Sequence, residues 1–386
     1  MAMLYSNTNS RLDSIDSKAI EWLRFPLACL IVLWHSQLVG AEYKPVVASN
    51  GFAFILKILL SGGICRIAVP AFFLISGYLF FLNLEQWDTA TWLGKIKRRF
   101  HTLFIPYIIW NILGIVYLCI SPYFGAVTDR PDSLLSIFQE RGWIRMFWDS
   151  NRVMEQWSRP AVNILGITMH NGMPANTPLW FVRDLIVIHL LSPVLYAVLK
   201  NTKQFGIGLL AVLFVLNIWL PMEGFSITGV CFYAIGAYLS IYSKGLVSSF
   251  RKLKNASYIG SIAFLILLVI TFGRHGSAQY IQRLFQLTGV IAAFNLADRF
   301  IRKENPICTR FADSSFFIYA AHAFIISIVA FLLRKMMPGT SQVMLAVKYL
   351  LSAACTVTIC ECIYQALKKY CPDFLSFICG NRRKIR

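Results

Sequence analysis

Acidic residues are scarce in this chain: 18 Asp and Glu stand against 37 Lys and Arg in 386 residues, a net charge of +19. Charge of either sign is thin as well, at 14%, while 57% of residues are hydrophobic. That balance excludes an ordinary soluble domain, whose surface needs far more charge. The ten cysteines are scattered and form no CxxC pair, which excludes a zinc ribbon and gives no metal site. Several of them (Cys29, Cys119, Cys231, Cys355, Cys360) sit inside apolar runs and read as small buried hydrophobes. No GxGxxG, Walker, HExxH or GxSxG motif occurs, so nucleotide hydrolysis, zinc proteolysis and elbow-type hydrolysis lack support. Neither an internal repeat nor a matching pair of broken helices is visible, which removes one mark of many secondary transporters. No apolar core precedes residue 20, so no cleavable signal peptide is expected.

What the chain does have is near-continuous apolar runs, each long enough to cross about 30 Å of hydrocarbon. Ten spans are expected, near 22–41, 64–84, 102–122, 180–199, 205–221, 225–242, 257–273, 278–298, 315–334 and 342–366. The fold class is therefore all-α and polytopic. Most cations fall in alternate short connections, as in Lys95, Lys97, Arg98 and Arg99, or Lys244, Arg251, Lys252 and Lys254. Positive charge retained on one side places both termini in the cytoplasm and explains the basic balance without nucleic acid. The expected organisation is a cytosolic lead-in at 1–21, a membrane domain at 22–366 and a basic cytosolic tail at 367–386. Its one long connection, about 123–179, mixes Trp, Arg and acids on the outer side. Such a mixture suits sugar stacking and an interfacial helix equally.

Ionisable side chains inside spans are costly and mark function by default. Arg24 opens the first run and His35 lies eleven positions on. At 3.6 residues per turn the two share a face, roughly 16 Å apart along it. An anion-binding group thus precedes a titratable imidazole at depth, where burial keeps it neutral and able to take a proton. In the second span Pro70 and Gly77 predict a kink and a close backbone approach, with Ser76 and Tyr78 beside them. Lys97, Arg98 and Arg99 before the third span hold loops inside and also suit a polyphosphate. Arg66, Trp180, Arg183 and Asp184 are expected on the acceptor side, the last two near the outer boundary, paired or snorkelling. His189 reads as structural. Ser315, Tyr319 and His322 recur at spacings of four and three and form one polar stripe on an apolar helix. That stripe is expected to line a cavity or support the reacting groups.

Together these stretches resemble the acyltransferase 3 family of integral-membrane acyltransferases. The matching residues are Arg24 and His35, Val69 to Tyr78, Arg98-Arg99 leading into Ile105 to Trp110, Leu179-Trp180-Phe181, Phe232 to Gly236, and Ser315 to His322. The chain looks most like the branch that O-acetylates bacterial surface polysaccharides, the enterobacterial common antigen type included. The resemblance implies an inner-membrane protein that takes an acyl group from cytosolic acyl-CoA, acetyl-CoA foremost. It implies a hydroxyl acceptor on an extracytoplasmic glycan or its lipid-linked precursor, and an essential Arg24 and His35. The donor's phosphates would meet Arg24, Lys97, Arg98 and Arg99, and Ser76, Tyr78, Tyr319 or His322 would face the oxyanion. Where the family often carries two arginines separated by two residues, this chain has Lys95 before Arg98 and His101 after it. The competing reading is a transporter or flippase that moves a glycan-lipid without acyl chemistry.

Overall fold

A computed structural model of the chain describes residues 14–36, 51–84, 86–120, 142–149, 162–164, 167–169, 172–220, 222–242, 244–271, 277–303 and 307–380. Residues 37–41 of the expected first span, most of the long connection and the end of the basic tail lie outside them. Among the described residues the protein is helical except for one two-stranded hairpin, β1 (Val162–Ile164) against β2 (Ile167–Met169). Seven helices are long and apolar enough to cross a membrane. They are α2 (Phe52–Phe81), α3 (Thr89–Ile120), α6 (Ser192–Leu216), α9 (Lys254–Thr271), α10 (Ala278–Ile301), a helix ending at Met336 and one over Gln342–Tyr370. The others are too charged or too short by that measure: α1 (Ser14–His35), α4 (Trp143–Trp148), α5 (Trp180–Leu190), α7 (Ile227–Ile241), α8 (Leu246–Arg251), α11 (Ile307–Arg310) and a last short helix, Pro372–Ile378.

The fourth and fifth expected spans are arranged differently from a simple pair of helices. α5 stops at Leu190, and α6 carries a non-helical residue, Lys203, with φ 51° and ψ −131°. Before that break the Leu199 carbonyl accepts from the Tyr242 hydroxyl, just beyond the end of α7. After it the Phe214 and Phe232 rings meet edge-on, 5.3 Å apart, in the first half of α7. The two halves of α6 therefore pack along the same partner helix. α1 begins at Ser14, ahead of the expected residue 22, and Asp16 is already buried. Its carboxylate accepts from the Tyr78 hydroxyl at 2.7 Å and from the Leu246 and Val247 backbone N–H groups at 2.9 Å. An acid this deep is tolerable because all three neighbours donate to it.

Packing follows membrane rules, where small residues rather than expelled water draw helices together. A Cβ on Gly77 of α2 would stand 2.1 Å from the Tyr233 carbonyl oxygen of α7. One on Gly236 of α7 would stand 2.0 Å from the Leu74 carbonyl oxygen of α2. These reciprocal glycines let the two backbones touch, as the sequence predicted for Gly77. Outward faces are apolar: on α9, Ile259 is 69% and Ile262 60% exposed, one turn apart. Such a stripe faces lipid.

Pro70 in α2 and Pro106 in α3 are each preceded by a widened, π-type turn, Ile58–Gly63 and Phe100–Phe104. Pro70 has no N–H to bond the Arg66 carbonyl four residues back. Gln286 of α10 supplies the missing donor, its Nε2 lying 3.1 Å from that oxygen. Gln282 likewise donates to the Gly62 carbonyl at 2.6 Å. The distortion falls at 58–67, before the proline, and it is held from outside.

Candidate active site

α1 ends where its histidine meets a second one. His35 is the last residue of α1, and His322 lies on α12 (Ser315–Met336). The His322 Nε2 stands 3.2 Å from the His35 Nδ1, with ring centres 4.8 Å apart. His322 Nδ1 lies 2.6 Å from the Tyr319 carbonyl oxygen and 3.3 Å from that of Ile318. A carbonyl oxygen only accepts, so His322 carries its proton on Nδ1 and presents a lone pair at Nε2. His35 Nδ1 faces that lone pair and also the Ile31 carbonyl oxygen at 2.9 Å. Both neighbours accept, so His35 Nδ1 is the donor and its Nε2 keeps the free lone pair. The network, rather than either ring alone, assigns the tautomers. What remains is one basic nitrogen on His35, available for a proton.

Two groups frame this nitrogen. The Trp34 ring meets the His35 ring edge-on at 4.4 Å, and the Arg66 guanidinium lies 4.8 Å over the Trp34 ring. Arg66 is close enough for its charge to act on His35. Its Nε donates to the Ser61 carbonyl at 3.1 Å, and among the described residues its Nη atoms make no hydrogen bond. Ser61 is pinned by the Tyr349 hydroxyl at 2.7 Å. The irregular turns before Pro70 are therefore what carries a cation to the imidazole.

The third wall is not a helix. Asn176 is buried, its N–H donating to Asn111 Oδ1 at 3.1 Å and its side-chain Nδ2 to the Ala320 carbonyl at 3.0 Å. Gly114 makes room, since a Cβ there would sit 2.8 Å from the Asn176 nitrogen. Just beyond, the Tyr319 hydroxyl donates to the Pro178 carbonyl. The stretch before α5 thus enters the bundle to the level of Tyr319, one helical turn from His322. Irregular backbone survives at such depth only when neighbouring side chains satisfy it. Asn111 and Asn176 do so.

A family model described as an acyltransferase domain matches residues 17–365, which contain every group just described. The chain belongs to the acyltransferase 3 family. It is therefore a multi-pass membrane protein and an acyltransferase. Over 96% of this chain and 94% of the relative, it is 24% identical to the succinoglycan biosynthesis protein ExoH of Rhizobium meliloti (strain 1021). No solved structure matches this acyltransferase.

The other expected site residues are placed unevenly. Arg66, expected on the acceptor side, lies over the ring of Trp34, the residue before His35. Tyr78 and Ser76 are at the wrong end to face an oxyanion. α2 runs antiparallel to α1, with Arg66 at Trp34 and Tyr78 at Asp16, so Tyr78 is separated from His35 by nearly the whole of α1. Tyr319 spends its hydroxyl on Pro178, and its carbonyl orients His322. Ser315 donates to the Ala312 carbonyl at 2.8 Å at the start of α12, two turns from His322. Arg24 lies mid-way along α1, where the carboxylates of Glu21 and Asp313 act on its charge.

Arg183 and Asp184 are buried, 4% and 1% exposed, and paired at 3.1 Å. Arg183 also donates to the Trp148 and Gly172 carbonyls at 2.6 and 2.9 Å, and Asp184 accepts from the Ser226 N–H at 3.2 Å. Trp180 is half-buried against Phe73, its ring centre 6.4 Å away. Lys97 and Arg98 are exposed, whereas Arg99 turns toward the Phe80 ring, 5.8 Å from its centre. Among the described residues no group of His, Cys, Asp and Glu is arranged to hold a metal.

Trp34, Gln286, Asn111 and Asn176 were missed from the sequence. Asn111 and Gln286 each left a signal there, an amide inside an expected span.

Proposed function

We propose that this acyltransferase moves an acetyl group from cytosolic acetyl-CoA to a hydroxyl of an extracytoplasmic glycan or its lipid-linked precursor, in the inner membrane of a bacterium with both termini inside. The observation that carries the reading is the His35–His322 pair, which leaves His35 Nε2 as a lone base beside an unbonded guanidinium edge. The relative's printed role in succinoglycan biosynthesis supports a glycan acceptor, and the cation-rich connections support the orientation.

In this mechanism the acceptor oxygen attacks the thioester carbonyl while His35 Nε2 takes its proton. The C–O bond forms, the C–S bond breaks, and the departing thiolate recovers that proton from the imidazolium as CoA thiol. His322 steadies the charged ring because its Nε2 accepts from His35 Nδ1. The Nη groups of Arg66 are the donors best placed for the developing oxyanion, in a site of low dielectric. Arg24, Lys97 and Arg98 supply positive charge for the donor's phosphates. Family membership favours this chemistry over simple passage of a glycan-lipid. The test is the O-acetyl content of surface glycans from cells with and without the gene. Its loss on deletion and return with the intact gene is expected; unchanged O-acetylation contradicts the reading.

A further inference from the structure

A second cluster of buried polar groups lies at the other end of α5, against Asp16's side of the bundle. His189 and Tyr233 are 1% and 0% exposed, and their rings meet edge-on at 5.4 Å. Phe80 closes the group, its centre 4.5 Å from that of His189 and 6.3 Å from that of Tyr233. Two buried polar atoms there have no partner among the described residues: His189 Nε2 and the Tyr233 hydroxyl. Orphaned polar atoms this deep are costly, and these two sit beside a cation. Arg99 enters over Phe80, near enough for its charge to act on both. Lys95 reaches the same ring and donates to the Phe80 carbonyl at 2.8 Å.

The hydrogen-bond sense of the cluster identifies what it would take. His189 Nδ1 lies 2.6 Å from the Leu185 carbonyl oxygen, so it holds the proton and Nε2 is an acceptor. Arg99 donates only, and the tyrosine hydroxyl does either. The missing occupant therefore presents an oxygen to Arg99 and Tyr233 and an N–H or O–H to His189. A phosphate group fits poorly, because its oxygens would face the His189 lone pair. A secondary amide or a hydroxyl fits.

The geometry points to this cluster as the subsite for the amide-bearing pantetheine arm of the acyl donor, with His189, Tyr233 and Arg99 as its binding residues. The assignment rests on the acyl-CoA reading above. α5 supplies the ruler: Phe181 at one end packs on Tyr319, ring centres 6.0 Å apart, and His189 is at the other. Eight residues of helix separate them by about 12 Å. An extended arm held at His189 thus points its thioester toward Tyr319, one turn from His322. Arg99 leaves the cation cluster for the arm, and exposed Lys97 and Arg98 remain for the nucleotide phosphates.

The test is titration of the purified, detergent-solubilised protein with CoA and, separately, with adenosine 3′,5′-bisphosphate, which lacks the arm. Tyr233→Phe is expected to weaken CoA binding about fivefold to tenfold, the size of one hydrogen bond, and leave the bisphosphate unchanged. Arg98→Gln is expected to weaken both. Pantetheine without nucleotide is expected to compete with CoA on the wild-type protein, a readout independent of any variant's folding. Unchanged CoA affinity in Tyr233→Phe, as for a cluster holding water alone, overturns the subsite, and so does failure of pantetheine to compete. A wild-type protein that binds no CoA overturns the donor reading itself and the subsite with it.

Discussion

His35 is one imidazole among several in the bundle, and what separates it is the direction of its hydrogen bonds. Among the described residues His189 Nε2 is buried without a partner, and His322 spends both nitrogens on neighbours. His35 alone combines a donor fixed by two acceptors with a free lone pair beside a guanidinium. If His322 acts by holding that tautomer, replacing it with a ring of similar size removes orientation but not the base. His322→Phe is expected to lower kcat roughly 10²-fold with the donor KM nearly unchanged and to move the pH profile of transfer. A purely structural histidine would lower the amount of folded protein and leave the profile where it was. Arg24 and His35 were legible in the sequence because their spacing on one helix is fixed by helix geometry. Arg66 is legible as an intramembrane cation, but its place over Trp34, next to His35, is not. Its place depends on the turns that Pro70 displaces and on two glutamines from a distant helix, which no local pattern encodes.

At the scale of elements, the α2–α7 contact sets the frame on which Arg66 and the cluster at His189 both depend. Gly236→Val would drive a side chain into the Leu74 carbonyl, which is backbone and cannot step aside. The expected outcome is loss of the monodisperse peak in fluorescence-detected size exclusion, whereas Gly94→Val, at a site with open space, leaves it intact. The apolar runs announced most of these helices, since hydropathy alone marks a span. The breaks at Leu191 and Lys203 and the inward course of 172–179 were not announced. The course of 172–179 is set by side chains far away in the chain, Asn111 and Tyr319, which satisfy its backbone. Tyr78 shows the same limit in reverse: a polar residue next to a kink invited a catalytic role, and the buried carboxylate of Asp16 had already claimed it.

Across the whole molecule, the long connection is joined to the bundle through Arg183. Its two carbonyl bonds reach Trp148 and Gly172, and Asp184 extends the link to the start of α7. Removing one partner leaves a buried charge, a loss on the order of 3 kcal/mol. Arg183→Leu is therefore expected to lower the melting temperature in detergent by several degrees, and Asp184→Asn paired with it to recover part of that loss. An Arg183→Leu protein melting with the wild type would show the link to be incidental.

Transfer turns on one nitrogen, His35 Nε2. The direct measurement is transfer of radiolabelled acetyl from acetyl-CoA to the glycan acceptor by purified wild-type and His35→Ala proteins, with CoA binding measured on the same preparations. The prediction is a folded His35→Ala protein that binds CoA like the wild type and transfers at least about 10²-fold more slowly. Transfer within a few fold of wild type would contradict it.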